Sequence, residues 1–367
     1  MSKFDKDIHQ KEMAIRYCLV NEMVPFLEVN IQNYRELSDT STLITDIDVL
    51  GVKVESSGKQ NKVIFDCKTL GKTSPINRAF WASGLMKFTG CSEAFVILRK
   101  QASEAHRLSA RQIGVHLFDE RQFGNYAESF SLDFCSDYCY STSISNWMNL
   151  FSSVSGNPTL EQFVAFLNND LPAEKDVTKA FRKFLVGLEK VKGELDPEKN
   201  KHKALFNYSL SIFLYLMTKI IHDFRAVIDY EVTESDYGRL MKYYIWGGRD
   251  SFLLKNRMTE MYSSSTNSSI APEPEIKSWT SYLELSRKLL DSPGDIQKCV
   301  FPLREISFMN VSTRISEKDK FTSDYVSNNK RVRQFSSSAA KYLVDAVKLP
   351  KDFSRQLDVT FDEIREI

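Results

Sequence analysis

Between Ile8 and Met23 the apolar residues Met13, Tyr17, Val20 and Met23 recur at steps of three and four, which predicts a helix with one buried face. Pro25 stops it. The pattern then turns to strands: a short extended "FLEVNI" and, beyond the polar "SDTST", the run "LITDIDVLGVKV". "SSGKQN" is a turn signal that joins this strand to "KVIFDCK" as a hairpin. "SPINRAFWASGLMKFTG" carries helix grammar, with Ser74 as N-cap, Pro75 at the first helical position and Gly90 at the end. "EAFVILR" and "IGVHLF" are continuous apolar strands. A helix leading into strands, then helix and strand in alternation, predicts an α/β N-terminal domain over residues 1–125, a mixed β-sheet flanked by helices.

From residue 126 the strand signals thin out, and residues 126–367 read as a largely α-helical module. Helices are expected at 159–171, 177–195, about 202–229, 237–246 and 279–291, with a closing helix at "SSAAKYLVDAVKL". The stretch "ALFNYSLSIFLYLMTKII", residues 204–221, reaches Lys219 before it is long enough for a membrane span and reads as a buried core helix. Residues 262–278, rich in Ser and Pro, form the most linker-like segment. No repeat of fixed period is visible.

Composition narrows the class. A length of 367 residues exceeds what one hydrophobic core usually serves. With 49 Lys+Arg against 48 Asp+Glu, a tail-driven polyanion binder is excluded, although a local basic groove is not. The charged start "MSKFDKDIHQKE" has no apolar core of a secretory signal, and the six scattered cysteines read as thiols of a cytoplasmic protein. Cys135 and Cys139 form a lone C-x3-C without a second pair to complete a zinc site.

The chemistry lies in the hairpin. Side chains alternate across a strand, so Asp46 and Asp48 share one side of "TDIDVLG", while Asp66 and Lys68 share a side opposite Val63, Phe65 and Cys67. Paired as a hairpin, these strands bring three carboxylates and a lysine to neighbouring ends. Like carboxylates at close range are costly, and a divalent cation resolves the conflict. Mg²⁺ (or Mn²⁺) binds hard oxygen donors and keeps waters, one of which can attack a phosphodiester. Lys68 would orient or help deprotonate that water and offset charge on the phosphorus oxygens.

The order of helix, "DIDVLGV", hairpin, "VIFDCK", helix and apolar strand resembles the PD-(D/E)XK nuclease superfamily, the restriction-endonuclease-like fold of Holliday-junction resolvases and many restriction enzymes. The resemblance covers under a third of the chain. It matches Asp48 to the strand aspartate and Asp66 and Lys68 to the acidic-x-Lys motif, and implies catalysis by Asp48, Asp66, Lys68 and an acid on the first helix. Glu12 matches that last place, with Glu22 and Glu28 as nearby competitors. The implied metal ligands are Asp48, Asp66, Glu12 and the Cys67 backbone carbonyl. The family's proline before the first aspartate is absent, since Thr45 and Ile47 flank Asp46. Asp46 reads either as a ligand of a second metal or as a group that keeps the strand end hydrated.

The remaining candidates carry weaker signals. Lys72, Arg78 and Lys87 would contact a phosphate backbone or form a solvated helix face. His106 and His116 flank the last strand in structural positions. His222, Asp223 and Arg225 read as the polar edge of a packed helix. "YYIWGGRDSFLLKNR" fits base stacking or a helix corner around a buried Trp246, and "NNKRVRQFSSS" reads first as a surface loop. Two function classes follow. One is a metal-dependent endonuclease, DNA favoured over RNA, with defence against foreign DNA suggested by analogy; it acts as a homodimer or with a partner held by the helical module, and off the membrane. The other is a catalytically inactive nuclease-fold scaffold that binds protein or nucleic acid through its helices.

Overall fold

The computed structural model describes residues 7–33, 40, 42–68, 74–130, 139–229, 231–265 and 276–365. Helix α1 (Ile8–Val20) leads into strands β1 (Val24–Gln32), β2 (Leu43–Val54) and β3 (Gln60–Lys68). These are followed by α2 (Pro75–Thr89), β4 (Glu93–Leu98), α3 (Glu104–Gln112), β5 (Val115–Asp119) and α4 (Glu120–Glu128). The strands form one mixed sheet in the order β1-β2-β3-β4-β5. Its first three strands are antiparallel, and β4 and β5 are parallel to β3.

Local chemistry explains most boundaries. The β2–β3 turn closes with Gly58 at φ 82°, a left-handed conformation glycine adopts without strain, while Glu55 N–H donates to Lys59 O at 2.9 Å. Pro75 opens α2 and Gly90 ends it at φ 72°; Ser74 holds the N-cap position but makes no side-chain capping bond. Helix α4 starts directly from β5, because Asp119 and Gln122 form a capping box. Helices α1 and α4 cover one face of the sheet, where Tyr17, Phe65, Phe95 and Phe123 cluster with ring centroids 5.2 to 6.3 Å apart. Helix α2 covers the other.

Gly51 sits in β2 under α1. A Cβ there would lie 2.8 Å from Cys18 Sγ and 3.2 Å from Met23 Sδ. Gly51→Ala is therefore expected to destabilise the protein by about 1–3 kcal/mol through overpacking. Urea unfolding checks this, and a variant as stable as the parent would show that α1 can move aside.

The rest of the chain is helical: α5 (Ile144–Ser152), α6 (Pro158–Ala165), α7 (Val177–Val191), α8 (Asn200–Arg225), α9 (Glu234–Ile245), α10 (Arg249–Ser265), α11 (Trp279–Leu290), α12 (Val300–Met309), α13 (Ser316–Asn328), α14 (Arg331–Val347) and α15 (Asp352–Arg365). Most of the expected linker, and Cys135 and Lys72, lie outside the described residues. The segment "NNKRVRQFSSS" is not a loop: it enters α14, where Val332, Phe335 and Ser336 are buried. Helix α8 is long and apolar enough to cross a membrane, yet 94% of its apolar window is buried inside the protein. It is a core helix, and its Ser209 and Thr218 hydroxyls bond carbonyls one turn back.

The helices also seal the open edge of the sheet. Residues Phe166–Asp170 form a π-helical turn against β1, and Asn168 Nδ2 donates to Leu27 O. Arg304 donates to Pro25 O, and Gln297 bridges Val54 N and Glu22 O at 2.8 Å each. Phe26 meets Tyr215 at 5.2 Å, so buried residues from both halves form one continuous hydrophobic cluster.

Candidate active site

The β2–β3 ladder runs from Val54 opposite Gln60 to Val49 opposite Phe65. Beyond that point β2 continues along β1 as far as Leu43, and β3 continues along β4 as far as Lys68. The two strands separate, and the next residues along each are Asp48 and Asp66. Asp48 Oδ2 takes the place of a ladder carbonyl by accepting from Cys67 N at 2.8 Å.

Lys68 joins the two strand ends. Its Nζ lies 3.2 Å from Asp48 Oδ2 and 3.8 Å from Asp66 Oδ1. Arg78, from the first turn of α2, forks onto both oxygens of Asp66. From the α1 side, Lys11 Nζ lies 4.0 Å from Asp48 Oδ1 and 2.5 Å from Glu28 Oε1. Carboxylates and cations thus alternate: Glu28, Lys11, Asp48, Lys68, Asp66, Arg78. Asp66 is only 2% exposed and Lys11 1%, so the chain of charges is largely desolvated.

Titration follows the packing. Burial, helped by the Asp66 charge, raises the Asp48 pKa against the pull of Lys68. For Lys68, burial works to lower the value, but Asp48 and Asp66 prevail and hold it above the ordinary lysine range. Burial pushes Glu28 up to about 7, in spite of Lys11, with Asp48 and Asp46 adding to the rise. Glu28 also has φ 52°, a left-handed backbone that costs a non-glycine residue about 1–3 kcal/mol. It interrupts a strand otherwise paired at Leu27–Val49 and Val29–Ile47.

The structure brings Asp48, Asp66 and Lys68 together and turns Glu12 elsewhere. Glu12 Oε1 accepts from Ile144 N at 3.0 Å and so caps the start of α5. Of the competing acids, Glu22 pairs with Lys53 at 3.0 Å, and Glu28 is the third carboxylate of the network. Asp46 lies on β2 opposite Asn30. Lys87 is exposed on α2. His116 stacks on Phe95 at 4.6 Å and meets Glu93 at 3.3 Å, while the backbone N–H of His106 bonds to the Ser103 cap. His222 bonds to Thr218 O, Asp223 to Lys219 and Tyr244, and Arg225 to Leu290 O, all within packed helices. Trp246 is half-buried between Lys255 at 4.1 Å and Arg182 at 5.0 Å.

A cleft of about 370 Å³ opens between the sheet, α2 and the segment leading into α7, and none of the six charged residues of the network lines it. Its floor includes Leu50 and Lys62, which alternate along β2 and β3 on the same side as Asp48 and Asp66. Phe88 and Thr89 of α2 form one wall, and Lys175, Lys179 and Lys183 the other. Glu174 lies among these lysines, 2.8 Å from Lys183 and 3.7 Å from Lys179.

Among the described residues, no three His, Cys, Asp or Glu side chains converge as a protein-only metal cage would require. Cys18, Cys67, Cys91 and Cys299 are free thiols. Comparison of the chain with protein-family models, with curated proteins and with solved structures finds no match. The functional reading therefore rests on the residues themselves.

Proposed function

We propose that the chain is a divalent-metal-dependent phosphodiesterase of the PD-(D/E)XK kind, an endonuclease acting on nucleic acid with DNA favoured over RNA, reacting at Asp48, Asp66 and Lys68. The observation that carries this reading is the meeting of two carboxylates at one lysine where β2 and β3 separate. The element order supports it too: α1, the β2–β3 hairpin, α2 and β4 supply the helix, acidic hairpin, helix and apolar strand on which the resemblance rests.

The donors fit the ion. Mg²⁺ needs only one or two carboxylates besides its waters, so the lack of a three-ligand cage is no obstacle. Asp48 and Asp66 would hold it, with the Cys67 carbonyl as the further donor the resemblance implies. Arg78 has to release Asp66 first, because its fork covers both oxygens. When bound, the ion supplies an activated water and positive charge for the phosphate oxygens. Lys68, kept an ammonium by its two carboxylates, offsets charge that develops on phosphorus oxygens and does not serve as the resting base. Lys11 holds Asp48 in place from α1. The lysines of the cleft wall would receive backbone phosphates and set the strand along the sheet.

One observation favours the scaffold reading. Leu254, Met258 and Met261 recur along α10 and are 61%, 63% and 72% exposed, the kind of apolar stripe that a partner covers. Calorimetric titration with Mn²⁺ separates the two. The nuclease reading expects binding by the parent protein, loss in Asp66→Asn, and roughly ten- to a hundredfold tighter binding in Arg78→Ala, which removes the competing cation. No heat from either the parent or folded Arg78→Ala would favour the scaffold.

A further inference from the structure

Trp246 stands at the corner between α9 and α10, where Gly247 at φ 80° and Gly248 at φ 114° turn the chain from one helix into the next. Helix α10 thereby comes back alongside, and Lys255 Nζ lies over the Trp246 ring, 4.1 Å from its centroid. On the α7 side Arg182 is 5.0 Å from the same ring, and its Nη1 donates to Ile245 O and, at 3.1 Å, to Thr178 Oγ1. The ring is half-buried and lines a hollow of about 530 Å³ beside α7. Helix α7 carries Lys179, Lys183, Val186 and Lys190 at steps of four, three and four, so they share one face over about 16 Å.

This face runs from the cleft on the sheet to the hollow: Lys179 lines the first, Lys183 both, and Val186 and Lys190 the second. Charge is uneven along it. In the cleft Glu174 takes up Lys183 at 2.8 Å and Lys179 at 3.7 Å, whereas no acidic residue among those described lines the hollow. Lys190 and Lys255 are exposed there and make no ion pair among the described residues. Val186, 53% exposed, puts an apolar patch between Lys183 and Lys190. Unpaired cations beside an aromatic ring suit a strand with unstacked bases, whose phosphates meet ammonium groups while a base stacks on the indole. A duplex keeps its bases paired and offers none. We propose that the groove along α7, from the cleft to Trp246, binds single-stranded nucleic acid, with one base on the Trp246 ring and phosphates on Lys190 and Lys255. The base takes the ring face that Lys255 covers, and this exposed side chain swings to a phosphate. Naming a single strand as the substrate class rests on the nuclease reading, whereas binding is measured without metal, so failure to bind and failure to cleave are separate results.

The test is fluorescence anisotropy of a labelled oligothymidylate with the full chain in EDTA at low salt, beside a duplex of the same length and with polyglutamate as competitor. The single strand is expected to bind at least tenfold tighter than the duplex and to resist polyglutamate of equal charge. Binding should quench tryptophan emission, and Trp246→Phe should remove most of that quench although Trp81, Trp147 and Trp279 remain. Trp246→Ala is expected to weaken binding roughly five- to a hundredfold. Lys190→Gln and Lys255→Gln, both on the surface and tolerated by the fold, should each lower the slope of log affinity against log salt by about 0.7. A duplex bound as tightly as the single strand overturns the proposal, as does a quench that persists in Trp246→Phe. So does displacement by polyglutamate, or no binding at micromolar protein.

Discussion

Lys68→Met is expected to lower nucleic-acid cleavage by about 10³-fold or more while leaving metal binding intact. The size follows from the two roles the proposed mechanism gives this group, countering charge in the transition state, where losing one such donor commonly costs about 10²–10³, and orienting the attacking water. The separation from metal binding follows from geometry. Lys68 competes with a cation for Asp48 and Asp66, from which it stands 3.2 and 3.8 Å away, so its loss leaves both carboxylates more negative. Mn²⁺ affinity should hold or rise. Lys68 is a third exposed, so a methionine there is tolerated by the fold. Cleavage within tenfold of the parent rate would remove Lys68 from the reaction; a parallel fall in Mn²⁺ affinity would make it a structural prop.

The second large effect is on stability. Glu28 titrates near 7 in the folded chain against about 4.5 when unfolded, so the native state holds its proton more tightly. Below about pH 4.5 both states are protonated. As pH rises towards 7 the unfolded chain ionises first, and stability falls by at most about 3 kcal/mol. Lys11, Asp48 and Asp46 face the group and are unchanged in Glu28→Gln, so the difference between parent and variant isolates it. Urea unfolding at pH 5, 6.5 and 8 should show the parent losing ground to Glu28→Gln as pH increases. A gap that does not vary with pH would mean that Lys11 keeps Glu28 ionised throughout.

The strands that carry the site were legible because their signal is local. Alternation in "LITDIDVLGVKV" and "KVIFDCK" with a glycine turn between them specifies a hairpin, and a hairpin brings Asp48 to Asp66 and Lys68. The partners that neutralise them were not legible. Lys11 looks like any charged residue of an amphipathic helix, and Arg78 like a solvated one; only the packing of α1 and α2 on the two faces buries Lys11 and half-buries Arg78 against carboxylates. Glu12 and Glu28 could not be told apart, since the choice depends on a left-handed residue in β1 and on an α5 that takes Glu12 as its cap. Elsewhere the difficulty was one of masking. Val332, Phe335, Ala339 and Leu343 recur as a buried helical stripe, but the basic and serine residues between them read as a loop. The box of Asp119 and Gln122 was written in the sequence, yet it follows a strand with no intervening turn. Helix α3 is short and buries only Ala110, and its one large apolar residue, Leu108, is exposed, so no apolar stripe marks it.

The decisive measurement is incubation of the purified chain with plasmid, single-stranded DNA and RNA in Mg²⁺, in Mn²⁺ and in EDTA, beside Asp66→Asn. Cleavage is expected, DNA before RNA, that requires the divalent ion and disappears in the folded variant. Cleavage that survives both EDTA and Asp66→Asn, or its complete absence with every substrate and either metal, would contradict the nuclease reading.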